Sequence, residues 1–378
     1  MAKSKVGGYM KPIYLDNAAS TKVNPYVLAK FIESAEMYGN PSSKHAEGYM
    51  AKECIDSVRT NIAQKIHCDK DDIFFTMGAT MSNQLLIQGF MAKNPNGLFI
   101  TTSVEHNDIM MLVEDSSYCI YILGVNKDGI IDINKLESII QAHIDTPILV
   151  SIQMANSETG IIQPIHQICK IINKYNNVFL HMDATQYIPY YPINMDCWNI
   201  DSISMSGQKI GGIKGSGLLV VRQMLLQNIK PIIYGEQGLI GGTPSTPLIA
   251  SLGEAFNEID YSHISSMFDK RNYFLSCMED MGGILVGTKT NRLPNNIYIR
   301  FPEVNGLTLM DLLNSRDIYI GTGSACSTDS DIPSHVAKAY GLSDKEAVEC
   351  VRFTLNNDIT YEEMEYVVTT IKSLLELL

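Results

Sequence analysis

The chain has 378 residues, of which 45% are hydrophobic and 19% charged, a balance that excludes collagenous, low-complexity and disordered classes. At roughly 150 residues per domain, this length predicts two or three domains. The formal net charge of -12 argues against non-specific partners such as nucleic acid or an acidic membrane surface.

The apolar runs are strand-sized, well short of the ~20 residues that span a bilayer, so no membrane segment is expected. Met1-Ala2-Lys3-Ser4-Lys5 is basic, but no hydrophobic stretch of a signal peptide follows it. The eight cysteines are scattered, without C-x-x-C or zinc-type spacing, so no metal site is expected. They read as reduced thiols of a cytoplasmic protein.

In chain order, strands are predicted at Ile73–Thr76, Leu98–Thr101, Tyr118–Leu123, Pro147–Gln153, Val178–Ala184, Ser202–Ser206 and Gly217–Arg222. Several lie a helix-length apart and carry Ile, Val and Leu on both faces, the pattern of a buried, mostly parallel sheet covered by helices. After about residue 250 the pattern changes. A long helical stretch from Pro247 to Met281 leads to a strand at Asn295–Phe301, a helix near Leu307–Ser315 and a strand at Ile318–Thr322. The last element is an amphipathic helix. Thr360 and Glu363 form its capping box, and Met364, Val367, Val368, Ile371, Leu374, Leu375 and Leu378 form its apolar stripe. The fold class is α/β: a large domain with a seven-stranded sheet, then a smaller α+β domain.

Three loops that follow predicted strands carry chemistry, and in open α/β sheets such loops gather at one edge. Thr76-Met77-Gly78-Ala79-Thr80-Met81-Ser82 turns from strand to helix, and its N–H groups suit either a phosphate or an ordinary helix cap. In His181-Met182-Asp183-Ala184-Thr185-Gln186, an acid ends a buried strand. There Asp183 either caps the turn or meets a cation such as a protonated pyridine nitrogen. In Ser206-Gly207-Gln208-Lys209-Ile210-Gly211-Gly212, a lysine lies among hydroxyls and glycines, a setting for a Schiff-base lysine. Phosphate seat, pyridinium partner and lysine are together the parts that pyridoxal phosphate needs.

These loops place the sequence near a known family. It resembles the class V aminotransferases, within the fold type I pyridoxal-phosphate enzymes, and among them the cysteine desulfurases. The likeness runs from Tyr14-Leu15-Asp16-Asn17-Ala18-Ala19 and Gly39-Asn40-Pro41 through Glu105-His106 and Ala155-Asn156-Ser157-Glu158-Thr159-Gly160. It ends at Gly321–Ser327, Pro333-Ser334-His335 and Val351-Arg352-Phe353. The resemblance implies a large cofactor-binding domain over 14–250, with 1–13 and 251–378 forming the small domain. It implies that Lys209 binds the cofactor aldehyde, that Asp183 pairs with the ring nitrogen, and that His106 stacks on the ring and moves protons. Asn156 and Gln186 are expected at the ring oxygen, with Asn156 also near substrate. Gly78, Ala79, Thr80, Ser206 and Gln208 are expected around the phosphate, with Thr243 supplied by the second subunit of a homodimer. Arg352 is expected to grip the substrate carboxylate. Cys326, in a polar glycine-rich loop, is expected to take sulfur from L-cysteine as a persulfide and to pass it to an acceptor or iron–sulfur scaffold protein.

Four departures from the family pattern stand out. Gln208 replaces a common histidine, Met81 replaces an acid, Asn83-Gln84 replaces an Asp/Asn-Asn pair, and Ile240 stands where an arginine is usual. A selenocysteine lyase would share the same anchors, and a weakened paralogue that mainly binds partners is the alternative these departures raise.

Overall fold

The computed structural model describes residues 11–235, 238–323 and 332–378. Its strands in chain order are β1 (Ile13–Tyr14), β2 (Ile73–Thr76), β3 (Leu98–Thr102), β4 (Ile120–Leu123), β5 (Ile148–Ser151), β6 (Val178–Asp183), β7 (Ser202–Ser206), β8 (Gly217–Val221), β9 (Ile284–Leu285), β10 (Asn296–Arg300), β11 (Ile318–Tyr319) and β12 (Cys350–Thr354). Seven of them form one sheet in the order β2-β8-β7-β6-β5-β3-β4. All seven fall on predicted strands. Strand β8 is antiparallel to both of its neighbours and the other pairings are parallel, so six strands run one way and one opposes them.

The sheet is apolar on both faces because its residues alternate sides at period two. Phe74, Phe99, Leu149, Phe179 and Leu219 join one core, under Leu86, Ile87 and Phe90. Their neighbours Ile73, Ile100, Ile148, Val150, Val178, Leu180 and Val220 join the opposite core, under Leu136, Ile140, Ile168 and Ile172. The first four helices are α1 (Pro25–Ala35), α2 (Ala46–Ile66), α3 (Ala79–Lys93) and α4 (Asn107–Glu114). Of these, α3 and α4 start directly after β2 and β3, and their N-termini reach the edge where the site lies.

A third core gathers Ile13 and Leu15 with Phe274, Ile297, Ile299, Leu309, Val351, Phe353, Val367 and Ile371, around the antiparallel sheet β12-β10-β9. Here the expectations need correction. The stretch from Pro247 to Met281 is two helices, Thr246–Asn257 and Ile264–Asp280. Asp260 interrupts it by accepting from the Ser262 N–H at 2.8 Å, a local bond that competes with the helical ladder. The strand at Ile318–Thr322 shrinks to two residues, the length over which it pairs with β1, and Gly321 bridges to Arg352 instead. The capping box at Thr360 and Glu363 forms with both of its bonds. The helix it opens ends at Leu375, so Leu378 is exposed outside the stripe. Strand β12 escaped prediction: its mixed run Cys350-Val351-Arg352-Phe353-Thr354 is buried at every position.

Candidate active site

Because only β8 opposes the rest of the sheet, the C-terminal ends of β2, β3, β5, β6 and β7 share one edge. The segments that follow them carry Gly78–Thr80, Glu105-His106, Asn156, Asp183–Gln186 and Ser206–Lys209.

Gly78 precedes α3 with φ at 146°, a conformation that side chains rarely adopt. A Cβ there would lie 3.2 Å from Ser206 Oγ. The Ala79 N–H donates to that same oxygen at 2.8 Å, which leaves the Ser206 hydroxyl proton to give to another acceptor. Gly78, Ala79, Thr80, Ser206 and Gln208 line one cavity of about 520 Å³. It opens at the N-terminus of a 15-residue helix, where N–H groups and the helix dipole favour an anion. The Thr80 hydroxyl faces Asp108 and helps to hold its carboxyl below the ordinary range. Thr243 lines a different cavity of about 300 Å³, which shares Met77 and Met81 with the first.

Asp183 ends β6 at 9% exposure. It accepts from the Thr185 N–H at 2.9 Å and from Asn83 Nδ2 at 3.2 Å, both neutral donors. Burial, reinforced by the charge of Asp108, raises its pKa. A buried carboxylate with neutral partners fits a protonated pyridine nitrogen as its missing cation.

Asn83 holds the centre. Its second amide hydrogen goes to Asp108 Oδ2 at 3.2 Å, and its oxygen accepts from Ser204 Oγ at 2.5 Å and His181 Nε2 at 3.0 Å. Nε2 must therefore carry the proton of His181, whose Nδ1 accepts from Ser202 Oγ. Burial pushes the pKa of His181 down to about 3, so this histidine is neutral. On the far side of Asp108, His106 Nδ1 lies 2.9 Å from Oδ1. Burial alone would raise the pKa of Asp108, but the bonds from His106, Asn83 and Thr80 hold it below its ordinary value.

Lys209 ends a short 3-10 turn after β7, and its Nζ donates to the carbonyls of Ala18 at 2.5 Å and Ala19 at 2.7 Å. Gln186 Nε2 donates to the same Ala18 oxygen at 3.0 Å, so the lysine and the Asp183 loop converge on one point. Asn156 is more committed than its expected role suggests. Its Nδ2 donates to the Val104 carbonyl, and its oxygen holds the turn through the N–H groups of Glu158 and Thr159. Arg352 is buried on β12, with Nη1 donating to the Ser157 carbonyl at 3.0 Å and Nη2 to Asp16 at 2.6 Å. Among the described residues its Nε is buried without a partner. Cys326 lies outside the described residues. Near its flanks, Ser334 Oγ donates to buried Glu158 at 2.6 Å, and a Cβ on Gly323 would lie 3.1 Å from the same carboxylate.

Sequence reasoning missed Asp108, Asn83, Asp16 and Glu158 as working parts of this edge. Asp108 had one available signal, an acid two residues after His106 at the start of a helix.

These residues could hold pyridoxal phosphate: a glycine-cradled anion seat, a buried acid awaiting a cation, and a lysine beside both. The Aminotransferase class-V family pattern matches residues 13–367, and the chain belongs to that family. Among its relatives, cysteine desulfurase IscS of Histophilus somni (strain 129Pt) is 35% identical over 381 residues, covering 97% of this chain and 93% of the relative. A mitochondrial cysteine desulfurase of Eremothecium gossypii is 34% identical, covering 97% of this chain and 77% of the relative. Of solved structures, a NifS-like protein superposes with a TM-score of 0.89 at 29% identity, covering 97% of this chain and all (100%) of the other. A structure of SspA in complex with cysteine gives 0.79 at 31% identity, covering 91% of this chain and 98% of the other.

Proposed function

We propose that this protein is a pyridoxal-phosphate-dependent cysteine desulfurase, converting L-cysteine to L-alanine and receiving the sulfur as a persulfide on Cys326. One observation carries the reading. The Gly78–Thr80 seat, Asp183 and Lys209 meet at a single sheet edge, in a chain about 35% identical to cysteine desulfurases. Its structural neighbour SspA, solved with cysteine, supports the same substrate.

Pyridoxal phosphate, when bound, draws electron density from the α-carbon of an amino acid and so labilises its bonds. The residues of the chain hold and serve it. Gly78, Ala79, Thr80, Ser206 and Gln208 receive the phosphate, which needs the N–H and O–H donors that these residues carry. Asp183 keeps the ring nitrogen protonated, because a buried carboxylate is stabilised by a cation facing it. Lys209 leaves the Ala18 and Ala19 carbonyls to take the aldehyde. Gln186 and the remaining Asn156 N–H would contact the ring oxygen, and His106 would cover the ring and move protons. Arg352 orients the substrate through its carboxylate, a charge-assisted pair that the planar fork suits. The Cys326 thiolate attacks the substrate sulfur; an S–S bond forms as the Cβ–S bond breaks, and a proton delivered to Cβ completes alanine.

Thr243 lies apart from the seat of its own chain, beyond Met77 and Met81, and this supports a homodimer in which the loop serves the partner subunit. The persulfide then passes to a sulfur acceptor or an iron–sulfur scaffold protein. No helix among the described residues is long and apolar enough to cross a membrane. The test is alanine released per subunit from L-cysteine by purified protein loaded with pyridoxal phosphate. Stoichiometric or catalytic alanine supports the reading, and none at all rejects it.

A further inference from the structure

We propose that Asp108 is the positioning residue of His106, fixing the imidazole with its proton on Nδ1 and leaving Nε2 as the nitrogen that accepts and returns protons. The inference deepens the proposed function, since it rests on His106 as the proton carrier of that site.

Two contacts of His106 Nδ1 conflict. His106 Nδ1 lies 2.9 Å from Asp108 Oδ1 and 3.4 Å from the Asp108 N–H. The first contact requires a proton on Nδ1 and the second requires a lone pair there, so both cannot hold. Charge decides between them. Asp108 is 7% exposed, and it accepts from Asn83 Nδ2 at 3.2 Å. The Asn83 amide, which can only donate there, and the ordinary acidity of a carboxyl group favour the ionised form of Asp108, which can only accept. An ionised oxygen 2.9 Å from a bare lone pair would be repelled, so Nδ1 carries the proton. A histidine whose one nitrogen donates to a carboxylate presents the other as a base of fixed orientation.

The support extends behind the carboxylate. Asn83 is fully buried, and its two N–H groups tie Asp108 to Asp183, while its oxygen is pinned by Ser204 and His181. His106 is thereby linked through two side chains to the acid that faces the ring nitrogen. The competing explanation is that Asp108 merely stabilises the first turn of α4, where an acid complements the helix dipole. That role would not determine which ring nitrogen holds the proton.

The experiment is 15N NMR of histidine-labelled protein, with and without pyridoxal phosphate, above the pH at which histidines titrate. The His106→Gln spectrum assigns the signals. Wild type should show His106 as the Nδ1–H form. Asp108→Ala should shift it toward the Nε2–H form that free histidine favours, whereas Asp108→Asn, whose amide oxygen can still accept, should largely retain Nδ1–H. In turnover, Asp108→Ala should lower kcat about tenfold or more with little change in KM for cysteine, as expected when acid–base catalysis is impaired. Asp108→Asn should recover part of that loss. An Nε2–H His106 in wild type overturns the proposal, as does a tautomer unchanged in Asp108→Ala. If the alanine variant does not fold, the wild-type and Asp108→Asn spectra still decide. A failure of the desulfurase reading shows separately, as absence of alanine from wild type, and leaves the tautomer measurement intact.

Discussion

The carboxylate of Asp16 lies 2.6 Å from Nη2 of Arg352, and the arginine side chain is only 3% exposed. Its charge is balanced before any substrate arrives. The pair is also enclosed: a Cβ on Gly321 would sit 2.8 Å from Nη2 and 3.2 Å from Nε, so glycine lets the segment after β11 pack closely against Arg352, to which it bridges. A substrate carboxylate would share the guanidinium with Asp16, and Nε, buried without a partner among the described residues, is the donor still unused.

Replacing Arg352 by Ala should therefore act mainly on binding. KM for cysteine should rise about 10- to 100-fold, the range for a lost hydrogen bond to a charged group, with a smaller fall in kcat. Steady-state kinetics across a wide cysteine range checks this; an unchanged KM would remove Arg352 from the substrate site.

Gly78→Ala tests the anion seat. The new side chain would occupy a backbone conformation that disfavours it and press on Ser206 Oγ. Cofactor affinity should fall at least tenfold while the circular dichroism of the apoprotein stays unchanged, because the strain is confined to one turn. Equilibrium titration with pyridoxal phosphate measures it, and wild-type affinity would place the phosphate elsewhere.

Glu105 makes a pH prediction. Its carboxyl accepts from Thr102 Oγ1 at 2.6 Å and from the Gln153 N–H, but burial dominates and lifts its pKa from 4.5 to about 8. The folded state thus holds this proton more tightly than the unfolded chain. The stability it contributes is complete below pH 4.5 and is lost as pH rises through about 8. Glu105→Gln cannot ionise. The stability of wild type relative to this variant should decline by on the order of a few kcal/mol across that window, measured by denaturant titration at several pH values. A difference independent of pH would mean that Glu105 is ionised throughout.

Much of this was legible in the sequence. Each strand of the large sheet is a short apolar run closed by polar or glycine residues, so period and punctuation found all seven, with errors of one or two residues at the ends. The convergence of the three loops at one sheet edge was legible for the same reason, since each directly follows a strand. The Asn83 bridge was not legible. It joins positions that lie far apart in the chain, and nothing local marks an asparagine whose two hydrogens serve different carboxylates. The Asp16–Arg352 pair is hidden likewise, linking opposite ends of the chain. The break after Asn257 was missed because one side-chain bond from Asp260 outweighs an otherwise continuous helical pattern.

Lys209 should be the only site of covalent cofactor attachment. Borohydride reduction of the loaded protein followed by peptide mapping should place pyridoxal phosphate on Lys209, and Lys209→Ala should bind cofactor without a reducible bond. A labelled peptide from elsewhere in the chain would reassign the lysine.

The central claim is that sulfur leaves cysteine for the thiol of Cys326, and one measurement addresses it directly. Loaded protein is mixed with a single equivalent of L-cysteine per subunit; alanine is quantified while intact and peptide masses are read for wild type and Cys326→Ser. Wild type should form alanine and carry one added sulfur atom on the Cys326 peptide. The serine variant should bind cofactor and change its absorbance with cysteine as wild type does, yet form alanine orders of magnitude more slowly, since a serine hydroxyl is a far weaker nucleophile near neutral pH. Alanine formed at the wild-type rate by Cys326→Ser, or sulfur released from wild type without passing through that peptide, would contradict it.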